Sequence, residues 1–476
     1  AHNVAAGAGG AGLSLVGNNG ANVLTGSAGR DSLAGFGGND VFLVTAVSQV
    51  PVGETISGGD GTDEIRFALA SGGETLTLEG RVVDSVERIV IGTGTAPAAI
   101  LTGTAALNID ATGVVLDLIY AGNAGPNNIQ DDAGNSLMEG GGGNDTLQGG
   151  DGNDTLVGGA GNDILSGGAG DNLFLYRDAA EAGPGEVIVT AGGTNVLRFV
   201  GAAGVLQVPQ YETQEIHFID LPGATPTSPV GVNAAAWNGG ALIVGNAGAN
   251  AITGTSVNDT LVGGAGPDSM AGGPGDDLFQ VASSAHATGD TYVGGTGIDT
   301  VRLGAAGAYM FSAATTGIER ISWASPQDAT AGAHVNAAAV TTGLTLEGTA
   351  GANVLTAGAG NDTLVGGDGA DSLSGGAGND RFVIVPSGFE AEDDGFGNIT
   401  VILLGDGLYL GQLDQVHGGP GFDTIVFDTS PLALPEGAQI LSLFSLPAAS
   451  AANTAFEAVT LGGVDDIGVS ATAYSG

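Results

Sequence analysis

A chain of 476 residues with 90 glycines cannot consist mainly of long helices, because glycine is a poor helix former. Its 51 Asp and Glu against 9 Lys and Arg give a net charge of −42, which excludes nucleic acid and anionic membranes as partners. The 42% apolar content separates it from acidic disordered tails, and the lack of cysteine removes disulfides, thiolate metal sites and cysteine nucleophiles.

No run of about eighteen apolar residues occurs, so no membrane insertion is expected, and the opening AHNVAAGAGG has no Sec-type signal pattern. The missing initiator Met points to a processed chain or an excised fragment. The first regular feature is a nine-residue repeat from Gly17, GNNGANVLT, GSAGRDSLA and GFGGNDVFL. A stray copy follows at Gly58, GGDGTDEIRF, and then a Glu within a β-type run, VERIVI. The second block opens at Gly122 with the weaker copies GNAGPNNIQ and DDAGNSLME. It continues as GGGGNDTLQ, GGDGNDTLV, GGAGNDILS and GGAGDNLFL, and its stray copy, AGGTNVLRF, has Asn195 where Asp is expected.

The third block, from Gly245, reads GNAGANAIT, GTSVNDTLV, GGAGPDSMA and GGPGDDLFQ; the fourth, from Gly348, reads GTAGANVLT, AGAGNDTLV, GGDGADSLS and GGAGNDRFV. Their stray copies are GGTGIDTVRL at Gly294 and GGPGFDTIVF at Gly418. Block starts lie 105, 123 and 103 residues apart, and the longer interval contains two extra units. The pattern predicts four tandem modules, 1–105, 106–230, 231–333 and 334–476, the last with an insertion near 387–415. The closing FEAVTLGGVDDIGVSATAYSG stops where a new module would begin, as expected of a cut within a longer array.

In each unit the glycines allow the positive φ of a tight turn, and a strand of about three residues follows. Position eight is apolar (Leu24, Leu33, Leu147, Leu156, Leu165, Leu261, Leu364, Leu373) and is expected to point inward. The pattern G-G-x-G-x-D-x-U-x resembles the RTX (repeats-in-toxin) calcium-binding family, and the whole-length repetition is most similar to RTX surface-layer and large extracellular surface proteins. The resemblance implies an all-β fold of tandem parallel β-roll or β-solenoid modules with calcium-filled glycine-rich turns, two units closing each turn.

Position-six carboxylates would then line the edges of the roll, a repulsive ladder unless cations fill it. Calcium, a hard cation taking six to eight oxygens, suits carboxylates beside exposed glycine carbonyls. The candidate ligands are Asp31, Asp40, Asp145, Asp154, Asp163, Asp259, Asp268, Asp277, Asp362, Asp371 and Asp380, with Asp63, Asp299 and Asp423 from the stray units. About a dozen Ca2+ ions of charge +2 would offset more than half of the −42. The first unit of each block has Asn at position six (Asn22, Asn127, Asn250, Asn353), expected as a neutral ligand or turn former. The last has Phe at position eight (Phe42, Phe174, Phe279, Phe382), expected as an end plug over the open core. Glu87, Glu215, Glu319 and Glu457 recur once per module and are expected to cap or edge strands.

Neither H-E-x-x-H nor G-x-S-x-G occurs, and no enzymatic activity is expected. The reading is an extracellular, calcium-binding structural protein of a bacterial cell surface, part of a surface layer or an adhesin-like rod. By resemblance it would leave the cell unfolded through type I secretion and fold on meeting calcium. Expected partners are calcium, further copies of itself in a lattice or filament, and cell-surface polysaccharide. The alternative is the carboxy-terminal folding and secretion region of a type I-secreted enzyme or toxin.

Overall fold

The computed structural model describes residues 3–5, 12–94, 99–208, 210–211, 216–221, 230–285, 287, 289–324, 332–367, 369, 371–384, 388–393, 399–404, 415–417, 424–428 and 458–462. Among these the fold is all-β, interrupted only by the single-turn 3-10 helices Val47–Gln49 and Ala179–Glu181. The chain forms two compact units, Ala1–Gly245 and Asn246–Gly476.

The first unit is a parallel β-solenoid. One ladder runs from Asn3–Ala5 through Val23–Thr25, Val41–Val44 and Glu64–Phe67 to Leu242–Val244. Alternate strands, such as Asn128–Gln130, Thr146–Gln148 and Ile164–Ser166, form the facing ladder. Within the nonapeptide blocks each residue pairs with the one eighteen positions on, Leu147 with Leu165 and Leu156 with Phe174, so two units make one turn. The core is the position-eight column itself. Leu24, Phe42, Ile65, Ile89, Tyr120, Met138, Leu156, Phe174 and Leu197 stack from one ladder, and Ile109, Ile129, Leu147, Leu165 and Ile188 from the other, all buried.

The turn glycines explain why the strands stay short. In the second block Gly143, Gly152, Gly161 and Gly170 have φ of +102°, +134°, +149° and +104°, a region that L side chains rarely enter. The chain therefore reverses after a few strand residues, and the next apolar side chain returns to the column.

The phenylalanines do not end the column, contrary to expectation. Phe42 pairs between Leu24 and Ile65, and Phe174 between Leu156 and Leu197, so the ladder continues past both. The large ring instead sits where the nonapeptide turn gives way to a longer one: Val41 pairs with Glu64, and Leu173 with Val196, each beyond the partner that two nonapeptides would supply. In one such stretch Arg66 is fully buried, its Nε 2.5 Å from Glu64 Oε1 and its Nη1 donating to the Gly94 carbonyl.

The second unit repeats this architecture. Its main ladder runs from Thr260–Val262 through Leu278–Val281, Thr300–Leu303, Arg320–Trp323, Thr345–Glu347, Thr363–Val365 and Arg381–Ile384 to Thr424–Asp428 and Ala458–Gly462. Trp323 lies in the core, edge-on to Tyr309 at 5.7 Å, and its Nε1 donates to the Glu347 carbonyl. Within the expected insertion, Gly388–Asp393 and Ile399–Leu404 pair antiparallel, a departure from the parallel pattern of the ladders. Among the described residues no helix is long and apolar enough to cross a membrane.

Candidate metal centres along the strand edges

The position-six carboxylate stands directly before its strand, where the turn hands over to the ladder. Its Oδ1 accepts a hydrogen bond from the backbone N–H one turn earlier: Asn127 to Asp145, Ser136 to Asp154 and Asp145 to Asp163, at 2.7–2.8 Å. The same bond recurs in the second unit, Asp259 to Asp277 and Leu344 to Asp362. Each ladder residue thus fixes one carboxylate oxygen and leaves the other aimed into the turn.

There the second oxygen meets the first glycine of its own unit. Where the glycine is present a side chain is crowded out at most rungs: a Cβ at Gly254 would lie 2.5 Å from Asp259 Oδ2, and one at Gly149 would lie 2.7 Å from the Gly167 carbonyl of the next turn; the Asp362 unit instead has Ala357 at this position. Each missing Cβ therefore marks a cradle lined by a carboxylate oxygen and a backbone carbonyl. The Oδ2 atoms of Asp40, Asp63, Asp145, Asp154, Asp163, Asp268, Asp277 and Asp299 are buried there without a hydrogen-bond partner, and Asp362 Oδ2 is buried and unpartnered beside Ala357. Native proteins rarely leave such atoms unsatisfied, and oxygen-only donors of this kind fit calcium.

The remaining candidates share the position with variations. Asp31 takes the Ser27 N–H on Oδ2 and the Leu13 N–H on Oδ1, while Asp259 takes both N–H and Oγ1 of Thr255. Asp371 and Asp380 accept the Asn353 and Asp362 N–H groups. All these aspartates are buried. Asp423 lies outside the described residues. No group of three His, Cys, Asp or Glu side chains converges among the described residues, because neighbouring carboxylates on an edge are a full turn apart. Any ion must take carbonyls beside carboxylates, which disfavours zinc.

Burial without a cation has an electrostatic cost. It pushes the carboxyls of Asp145 and Asp268 up to about 7 and those of Asp63, Asp154, Asp277 and Asp362 up to about 6. The backbone N–H bonds oppose this shift, and like-charged neighbours such as Asp163 beside Asp145 add to it. Asp163 and Asp299 move in the same direction for the same first reason.

The first-unit asparagines put an amide where later units put a carboxylate. Asn353 Nδ2 donates to the Thr349 and Gly366 carbonyls and to Asp371 Oδ1 at 2.8–3.1 Å, and Asn127 Nδ2 donates to the Leu107 carbonyl at 2.7 Å. These donors engage carbonyls that would otherwise face a cation, so the second and fourth blocks begin on a rung whose amide is satisfied from within the protein, while Asn22 Oδ1 of the first block is buried without a hydrogen-bond partner.

The ladder also extends beyond the repeat. Glu87 and Glu319 accept the Asp63 and Asp299 N–H groups on Oε2, so the once-per-module glutamates do edge strands here; Glu215 and Glu457 lie outside the described residues. Glu54, Glu186 and Asp290 take the same place for Asp31, Asp163 and Asp268, and sequence reasoning missed all three. A signal existed. Each directly precedes a strand, in ETI, EVI and DTY, a little more than two nonapeptides after the aspartate it serves. Burial pushes Glu54 up to about 7 and Glu186 up to about 8.

A family model described as the RTX calcium-binding nonapeptide repeat (4 copies) matches residues 16–44, 121–156, 139–174, 244–279 and 347–382, the second and third stretches overlapping. These stretches are RTX repeats, a repeat that binds calcium in β-roll proteins of a kind that is generally secreted. No curated protein matches the chain.

Proposed function

We propose that the protein is a structural component of a bacterial cell surface, a surface layer or an adhesin-like rod, which leaves the cell unfolded by type I secretion and folds on calcium outside. The supporting observation is the series of buried, unpartnered carboxylate oxygens along the strand edges. Asp40, Asp63, Asp145, Asp154, Asp163, Asp268, Asp277, Asp299 and Asp362 would hold the ions with the adjoining glycine carbonyls, and Asp31, Asp259, Asp371 and Asp380 occupy equivalent positions. Bound calcium supplies the positive charge and the oxygen coordination that these cradles lack.

The residues themselves do the rest. Each Oδ1 ties its turn to the one before, so neutralising Oδ2 fixes the stacking of two turns together. Without cations the carboxylates oppose burial, and the chain is expected to be expanded at low calcium and compact at extracellular calcium. A structural rather than catalytic role is favoured by the spread of four blocks over the chain and the absence of H-E-x-x-H and G-x-S-x-G. The ~105-residue module is proposed as the repeating unit, and self-association and cell-surface polysaccharide binding belong to the same proposal.

The test is assembly in millimolar calcium, followed by sedimentation and negative-stain electron microscopy. Ordered sheets or filaments that dissolve on chelation are expected. A monodisperse monomer at all calcium concentrations would contradict the surface-layer reading and favour a secretion region of a larger enzyme or toxin.

A further inference from the structure

Three acidic residues outside the matched repeats stand on the carboxylate ladders as the nonapeptide turns end, and they differ in what meets their second oxygen. Glu186 Oε1 receives the Tyr176 hydroxyl at 3.1 Å, and Asp290 Oδ2 receives the Tyr292 hydroxyl at 2.9 Å. Glu54 has no such tyrosine. The residue matching Tyr176 in its strand, VFLV against LFLY, is Val44. Glu54 is fully buried, its Oε2 accepts the Asp31 N–H at 2.7 Å, and its Oε1 has no hydrogen-bond partner.

That free oxygen points into a cradle. A Cβ built on Gly26 would lie 3.0 Å from Asp31 Oδ2, 3.3 Å from the Gln49 carbonyl and 3.4 Å from Glu54 Oε1. Gln49 closes the Val47–Gln49 helical turn, and its carbonyl stands where the nonapeptide rungs present a glycine carbonyl. The cation whose field reaches Glu54, Arg81, directs Nε and Nη2 to the Val50 carbonyl and Nη1 to the Glu79 carbonyl.

We propose that Glu54 and Asp31, with the Gln49 carbonyl, form a calcium site on a rung that the nonapeptide consensus does not encode, whereas the equivalent rungs at Glu186 and Asp290 are closed by tyrosine and take no ion through those residues. The donors are oxygens only, two of them from carboxylates. Magnesium keeps several waters and demands octahedral geometry, so a buried cradle of this kind selects calcium. The inference rests on the calcium-binding reading of the ladders and gives the ion in the Asp31 cradle two ligands, Glu54 and the Gln49 carbonyl, that the repeat pattern does not encode.

The experiment counts ions on the full chain by native mass spectrometry after dialysis against calcium, for wild type, Glu54→Gln, Glu186→Gln and Gly26→Ala. Glu54→Gln is expected to carry one calcium fewer than wild type and Glu186→Gln the same number. Should Glu54→Gln fail to fold, as judged by circular dichroism, Gly26→Ala decides. Its methyl enters the cradle at a residue without a positive φ and within a few tenths of an ångström of ordinary contact, and one ion fewer is again expected. An unchanged count in the folded variant, or an equal loss in Glu186→Gln, overturns the proposal. A wild type that binds no calcium at all overturns the reading of the whole ladder instead, and this site with it.

Discussion

Between Gly140 and Ser166 the roll repeats every two nonapeptides, and each edge carries a buried aspartate before its strand. Between Val41 and Ile119 the same ladder continues through longer and unequal connections, Val41 pairing with Glu64, Glu64 with Arg88 and Arg88 with Ile119. The apolar column does not notice the change: Phe42, Ile65, Ile89 and Tyr120 follow one another as Leu147 follows Ile129. The parallel stack is therefore set by buried side chains at strand centres, and the glycine consensus determines where the turns are tight enough to aim paired oxygens at a cation. The inter-block stretch instead buries an Arg66–Glu64 pair that balances its own charge.

The largest contrast between the regions should appear when calcium is removed. Carboxyls whose folded-state values are raised bind more protons folded than unfolded, so their contribution is present at low pH and is lost as pH rises through about 6 to 7. Chelated protein should accordingly show more β-structure by far-UV circular dichroism at pH 5 than at pH 8. In saturating calcium the dependence should reverse, because acid displaces the ions. A chelated protein that loses stability on acidification would break the account of the edges.

Arg66→Ala should cost up to about 3–5 kcal/mol, since it leaves the buried Glu64 only Arg88, 3.8 Å away, as a cationic partner. The loss is read from urea denaturation in saturating calcium. Truncating the column should not distinguish the regions: Leu156→Ala in the block and Ile89→Ala outside it should each cost about 2–5 kcal/mol. A much smaller value for Ile89→Ala would mean that the inter-block column is not a continuation of the same core. The smallest effects separate the two kinds of turn aspartate. Asp154→Ala should raise the calcium midpoint several-fold and lower its cooperativity, while Asp60→Ala, exposed at position three, should stay within about 0.5 kcal/mol of wild type. Equal shifts in a calcium titration would reject the position-six assignment.

Much of this was legible in the sequence because a nine-residue period constrains two things together, the glycine turn and the apolar position. Leu147, Leu156 and Leu165 gave the column, and Asp145, Asp154 and Asp163 gave the edge. Phe42 was misread as a terminus because nonapeptides stop there, although Ile65 and Ile89 carry the column on through turns too long to show a period. Glu54 was invisible for a related reason. A carboxylate reaches the Asp31 N–H from a rung with no glycine pair before it, as Asp290 does for Asp268, so the chemistry persists while the motif does not. The tyrosine that distinguishes Glu186 from Glu54 belongs to another strand and is recognised only once the strands are stacked.

The most direct test is a calcium titration of the chelated chain at pH 7.5, followed by far-UV circular dichroism. A disordered spectrum converting cooperatively to β-structure between about 0.1 and 1 mM calcium is predicted. A spectrum already β-rich in chelator and unmoved by calcium would contradict the claim that the carboxylate ladders organise the fold.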